Sequence, residues 1–188
     1  MAVLSATDVV RRFDAAELSL CLYFNRGCAR RSVRDFFGLI SRLGDGVFWY
    51  VLIVTLPVLH PGVSGAFSLL MAVTGLAGVL AYKVLKRTLV RERPFINCRG
   101  IRLGTAPLDR YSFPSGHTLH AVSFTTMVMS VFPEAGLVLI PFTILVAASR
   151  VVLGLHYPTD VAAGALLGFA LGSAGVRIAG MLELLPVA

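Results

Sequence analysis

Long apolar stretches separated by short charged ones set the pattern of this chain. Residues 46–82 contain no Lys, Arg, Asp or Glu, and neither do residues 161–176. Runs of about 18 or more apolar residues read as bilayer spans rather than as buried core helices. The first predicted span covers about Val47 to Leu59, extended backwards by a short approach helix from Phe36 to Leu43 that ends at Gly44-Asp45-Gly46. His60-Pro61-Gly62 breaks it. The second runs from Ser64 to about Lys86, the third from near Ser115 to Phe132-Pro133. The fourth runs from Gly136 to about Leu155 and the fifth from Asp160 to about Arg177, with an Arg-, Pro- and Gly-rich loop over 94–116. Ahead of them, Thr7 or Asp8 can cap a helix in which Val9, Phe13, Ala16, Leu20 and Phe24 form an apolar stripe. An amphipathic helix of this kind more often lies at the interface than spans. The expected fold is therefore all-α, a polytopic membrane helix bundle of five transmembrane helices, or six if residues 13–34 cross as well.

Composition agrees with that class. The chain has 188 residues, room for one domain of ordinary size. It is 56% hydrophobic and 14% charged, with a mean hydropathy of +0.80. Arg11, Arg12 and Asp14 precede any usable apolar stretch, so the start does not read as a cleaved signal peptide. A net charge of +7 suits anionic headgroups, nucleic acid or an anionic substrate, and so apolar a chain argues against nucleic acid. Cys21, Cys28 and Cys98 lack metal-ligand spacing and read as unpaired thiols. Gly164, Gly168 and Gly172 recur every four residues, a strip that suits close packing inside the bundle better than dimerisation.

The helix count brings the chemistry together. If the second and fourth spans arrive at one face, Lys86, Arg93, His117, Arg150, His156 and Asp160 all share it. Cations in or beside a bilayer need a function or a partner. For Lys83, Arg87 and Arg91 the expected fate is snorkelling to headgroups. Lys86 and Arg93 are two helical turns apart and would point to one side if the helix reached Arg93, before Pro94 ends it. Pro114-Ser115-Gly116-His117 opens a helix, where free N–H groups and the Ser115 hydroxyl can bind an anion and Gly116 allows close approach. Ser115 as a simple N-cap is the plainer alternative. Arg150 lies deep in an apolar run, and its fork can hold two phosphate oxygens. Asp160, four residues after His156, can accept from one imidazole nitrogen and hold the other toward a substrate.

Lys86 to Pro94 reads Lys-x6-Arg-Pro, Pro114 to His117 reads Pro-Ser-Gly-His, and Ser149 to Asp160 reads Ser-Arg-x5-His-x3-Asp. Together, in this order, they resemble the signature of the type 2 phosphatidic acid phosphatase (PAP2) superfamily, which includes bacterial membrane lipid phosphatases and, by site geometry, vanadium haloperoxidases. The resemblance implies a PAP2-like transmembrane catalytic domain over 46–180, preceded by interfacial and approach helices over 1–45. It implies His156 as nucleophile, Asp160 as its orienting carboxylate and His117 as general acid. Lys86, Arg93, Ser115, Gly116 and Arg150 would bind the phosphoryl oxygens. No metal and no cofactor is implied. The expected substrate is a phosphorylated membrane lipid, such as undecaprenyl diphosphate, phosphatidylglycerophosphate, phosphatidate or a lipid A phosphate. A lipid phosphotransferase and a phospholipid-binding permease or flippase are the competing classes. Bacterial members usually act outside the cytoplasm, which implies a periplasmic site on the inner membrane. Lys83, Arg87, Arg91, Arg99, Arg102 and Arg110 on that face, against Arg177 opposite, point instead to the cytoplasm by the positive-inside rule.

Overall fold

The computed structural model describes residues 6–59, 63 and 65–185, with only the backbone described for 6–11 and 13. The helices are α1 (Ala6–Asn25), α2 (Arg31–Arg42), α3 (Phe48–Leu59), α4 (Gly65–Leu89), α5 (Pro94–Asn97), α6 (Gly116–Met129), α7 (Gly136–Val152) and α8 (Pro158–Met181). The proposed cap at Thr7 or Asp8, the side chains of Val9 and Phe13, the break at His60-Pro61-Gly62 and the start at Ser64 lie outside the described residues. The chain forms a polytopic membrane helix bundle. Among the described residues, four helical stretches are long and apolar enough to cross a membrane: Arg31–Leu59, Gly65–Leu89, Pro133–Val152 and Pro158–Met181. Val58, Leu69, Leu137 and Leu166 are each more than 60% exposed, an apolar outer surface suited to lipid.

The approach helix breaks where Gly44-Asp45-Gly46 predicts, with non-helical dihedrals at Asp45 (φ −84°, ψ 29°) and Gly46 (φ +112°, ψ −41°), and the chain kinks there into α3. Two elements differ from the pattern read off the sequence. The third expected span is a helix of 14 residues, about 21 Å at 1.5 Å per residue, short of the roughly 30 Å hydrocarbon layer. It is the central helix, with nine of those residues buried, and polar His117, Thr118, Ser123 and Thr125 are among them. Helix α1 turns its stripe outward: Leu20 and Phe24 are about half exposed, while Glu17, Cys21 and Asn25 pack inward. In lipid the apolar face has no reason to hide, and the polar groups find partners only inside.

The glycine strip packs internally. A Cβ on Gly164 would lie 2.5 Å from the Ser115 carbonyl oxygen and one on Gly172 2.7 Å from that of Ser123, while Gly168 lies against the Leu119 carbonyl. Helix α8 thus rests on the backbone of α6 along its length, and the strip holds α8, which carries Asp160, in register with α6, which carries His117. The largest hydrophobic cluster, including Trp49, Phe67, Met71, Phe124, Met127 and Val146, fills the bundle beyond them. The three cysteines are unpaired.

Candidate active site

Helix α4 ends at Leu89, and Val90 takes a positive φ of 45°, so the helix does not reach Arg93. Arg93 instead lies extended ahead of Pro94, as the residue before a proline should. Lys86 and Arg93 still meet, through an acid the sequence reading passed over. The Asp109 carboxylate accepts from Lys86 Nζ at 2.7 and 2.9 Å and from Arg93 Nη2 at 2.8 Å. Burial tends to raise the Asp109 carboxyl, but the hydrogen bonds from Lys86 and Arg93 outweigh it and hold it below the usual carboxylate range. Two cations able to hold a phosphate are thereby held by a carboxylate.

Helix α7 ends at Val152, three residues before the expected end. Gly154 has a φ of +74°, the left-handed turn that commonly closes a helix, and it folds the chain back so that His156 N–H donates to the Arg150 carbonyl at 3.1 Å. Arg150 and His156 are both buried. Arg150 Nη1 donates to Ser41 Oγ at 2.5 Å, and its Nε has no partner among the described residues.

Arg93 Nη1 stands 3.2 Å from His156 Nε2 and also donates to the Leu155 carbonyl at 2.9 Å. A guanidinium only donates, so Nε2 is the accepting nitrogen and the ring proton sits on Nδ1. That Nδ1 is 3.7 Å from Asp160 Oδ2, an ion-pair distance too long for a hydrogen bond, and it has no other partner. Burial first, then the Arg150, Arg93 and Lys86 charges, push the His156 imidazolium well below the ordinary histidine range. His156 is therefore neutral at neutral pH, with its lone pair on Nε2.

Asp160 is anchored from two sides. It accepts from the Tyr157 N–H at 2.8 Å in a capping box, with Pro158 at the first helical position, and from Arg91 Nη1 at 2.7 Å. Arg91 therefore does not snorkel. Its other nitrogen donates to Glu17 of α1 at 2.5 Å, and its guanidinium lies 4.1 Å from the Tyr157 ring centroid. Glu17 also accepts from the Thr159 N–H at 2.9 Å and from the Thr159 hydroxyl. By contrast Lys83 and Arg87 are exposed, as expected.

Ser115 occupies the N-cap position of α6, but its hydroxyl shares a 2.9 Å hydrogen bond with Thr118 Oγ1 and is fully buried. The first N–H groups of α6, at Gly116 and His117, have no acceptor within a helix. His117 Nε2 pairs with Asp45 Oδ1 at 3.2 Å, a carboxylate supplied by the bend in the first span. A cavity of about 490 Å³ joins these groups. Lys86, Arg93, Gly116, His117, Arg150 and His156 line it, whereas Ser115 and Asp160 stand behind its wall. Its far side is apolar, with Trp49, Ile53, Leu76 and Phe124 among the lining residues. Among the described residues no group of three or more His, Cys, Asp or Glu side chains is arranged to hold a metal ion.

Asp45, Asp109 and Glu17 are the residues that sequence reasoning missed, and Arg91 is the one it assigned to headgroups instead. One signal was available: buried cations in an apolar chain need acidic partners, and only ten acids stand among 17 Lys and Arg.

The chain is similar to several membrane phosphatases. It is 37% identical over 83 residues to decaprenylphosphoryl-5-phosphoribose phosphatase of Mycolicibacterium smegmatis, covering 43% of each chain. It is 35% identical over 97 residues to lipid A 1-phosphatase of Rhizobium johnstonii, covering 49% of this chain and 39% of that one. The chain thus spans less than half the length of these two curated relatives. The crystal structure of LpxE from Aquifex aeolicus superposes with a TM-score of 0.73 at 26% identity, covering 85% of this chain and 94% of that one. Residues 66–183 match the family model of the PAP2 superfamily, a stretch that carries the Lys86, Arg93, His117, Arg150, His156 and Asp160 positions; the chain belongs to that superfamily.

Proposed function

We propose that this protein is an integral membrane lipid phosphatase that hydrolyses a lipid phosphomonoester or diphosphate through a phosphohistidine intermediate, without a metal ion. The observation that carries the reading is the placement of His156, its Nε2 lone pair turned toward Arg93 on the wall of a cavity that Lys86, Arg150 and His117 also line. Cations and helix N–H groups placed where phosphoryl charge develops lower the barrier without reorganising. In the first step His156 Nε2 forms a bond to phosphorus as the phosphorus–oxygen bond to the leaving group breaks. The departing oxygen takes its proton from His117. Asp160 receives the charge that builds on the His156 ring, once the 3.7 Å gap to Nδ1 closes around bound substrate. Water then attacks the phosphohistidine, His117 takes its proton, and phosphate leaves. Lys86, Arg93, Arg150 and the Gly116 N–H hold the phosphoryl oxygens, replacing the charge a metal would bring.

The site faces the extracytoplasmic side of the inner membrane in this reading, as the family resemblance implies. Purified protein should release phosphate in EDTA from at least one of phosphatidate, phosphatidylglycerophosphate, undecaprenyl diphosphate and lipid A phosphate. Vanadate should inhibit, because it adopts the five-coordinate geometry of the transferring group. Turnover lost in EDTA and restored by Mg²⁺ would refute the metal-free mechanism. A cysteine introduced in the 99–110 loop should label from outside intact cells; labelling only after lysis would reverse the side.

A further inference from the structure

Asp45 lies outside the three sequence motifs, and it is a carboxylate at the mouth of an anion site. Its position is built: the kink at Asp45 and Gly46 places it on the cavity wall, 3.2 Å from His117 Nε2. In-line displacement puts the leaving oxygen opposite His156 Nε2, beside His117. Beyond Asp45 the cavity continues between the Trp49–Ile53 wall of α3 and the Leu76 wall of α4, the space left for the leaving group and its chain. The lining cations, Lys86, Arg93 and Arg150, belong to the phosphoryl end. The leaving group therefore passes a carboxylate whose partner there is His117, neutral once it has delivered its proton, while the lysine and arginines lining the cavity stand at the phosphoryl end.

We propose that Asp45 is a positioning and specificity residue, which holds His117 for proton delivery and restricts the substrate to phosphomonoesters whose leaving group is an uncharged alcohol, such as a polyol or sugar hydroxyl. This rests on the phosphatase reading above and narrows it. A diphosphate would set its departing phosphate against Asp45, and like charges a few ångströms apart at the dielectric of a protein edge give roughly 10- to 100-fold discrimination. A hydroxylated leaving group meets the opposite situation, because the carboxylate can accept from its hydroxyl groups.

The test compares two substrates with one tail: kcat/KM for farnesyl phosphate and farnesyl diphosphate, in mixed micelles, with the full-length protein. Wild type should favour the monophosphate by about 10- to 100-fold, the discrimination expected from like charges at that separation. Asp45→Asn and Asp45→Ser should shift that ratio at least tenfold toward the diphosphate, since the repulsion goes while the phosphoryl site stays. Both variants should lose more on farnesyl phosphate than on p-nitrophenyl phosphate, whose leaving group needs no proton. A wild type that prefers the diphosphate overturns the proposal even if neither variant folds. Equal losses on both farnesyl substrates overturn it too, and leave the phosphatase reading intact. Phosphate release from none of the three substrates by wild type would remove that reading and this proposal together.

Discussion

Replacing Arg91 tests the least expected part of the structure, the link between the N-terminal helix and the Asp160 carboxylate behind His156. Arg91 bridges two buried acids, Asp160 at 2.7 Å and Glu17 at 2.5 Å, whose side chains are 0% and 4% exposed. Removing one partner of a buried ion pair costs about 3–5 kcal/mol, because a charge is left uncompensated. Asp160 would keep the Tyr157 N–H and Glu17 would keep Thr159, so Arg91→Ala should fall at the lower end, about 3 kcal/mol. Arg91→Lys keeps the charge but cannot fork to two carboxylates, and should cost about half as much. The assay is denaturant unfolding in detergent micelles, alongside kcat. A double-mutant cycle with Glu17→Gln should show a coupling of about 1–3 kcal/mol, since deleting both partners leaves one fewer buried charge. Turnover should fall with Arg91→Ala more than with Glu17→Gln, because Arg91 alone touches both acids and Asp160 stands behind His156. An Arg91→Ala protein with unchanged stability and kcat would refute the bridge and return Arg91 to the snorkelling role its helix-end position suggests.

Three further outcomes are expected. Gly168→Ala should destabilise by about 1–3 kcal/mol, since its Cβ would meet the Leu119 backbone, whereas Gly38→Ala, with open space around it, should be near neutral in the same unfolding assay. Asp109→Asn should tighten vanadate inhibition, read as a lower Ki, because the carboxylate competing for Lys86 and Arg93 is gone; weaker inhibition would make Asp109 an organiser of the two cations instead. The lowered His156 pKa places its acid limb in kcat/KM below the ordinary value of about 6.5. The unfolded chain binds that proton first, so the His156 contribution to stability declines as pH falls through about 6.5, and a limb above that value would contradict a neutral buried imidazole.

The motif residues were legible because a charge in an apolar run has few explanations, and six of them at one end of predicted spans have fewer. Their partners were not. Arg91 and Asp160 are separated by most of the bundle in sequence, and nothing local marks Glu17, Asp45 or Asp109 as anything but interfacial acids. The outward turn of Leu20 and Phe24 reversed the expected stripe for a related reason: hydrophobic periodicity tells which residues share a face but, where the solvent is lipid, not which face is inside. The short central α6 escaped notice because hydropathy alone does not distinguish a helix facing lipid from one packed among α4, α7 and α8. Even the glycine strip gave only its spacing, and its partner, the α6 backbone, came from the structure.

In the proposed mechanism His156 becomes phosphorylated at each turnover. His117→Ala given an aryl phosphate offers the most direct measurement, because attack on an activated substrate needs no acid while hydrolysis of the phosphohistidine lacks its base. Alkaline quench followed by peptide mass spectrometry should find a near-stoichiometric, acid-labile phosphoryl group on His156. Aryl alcohol released in many turnovers with no covalent phosphate, or with phosphate on another residue, would contradict it.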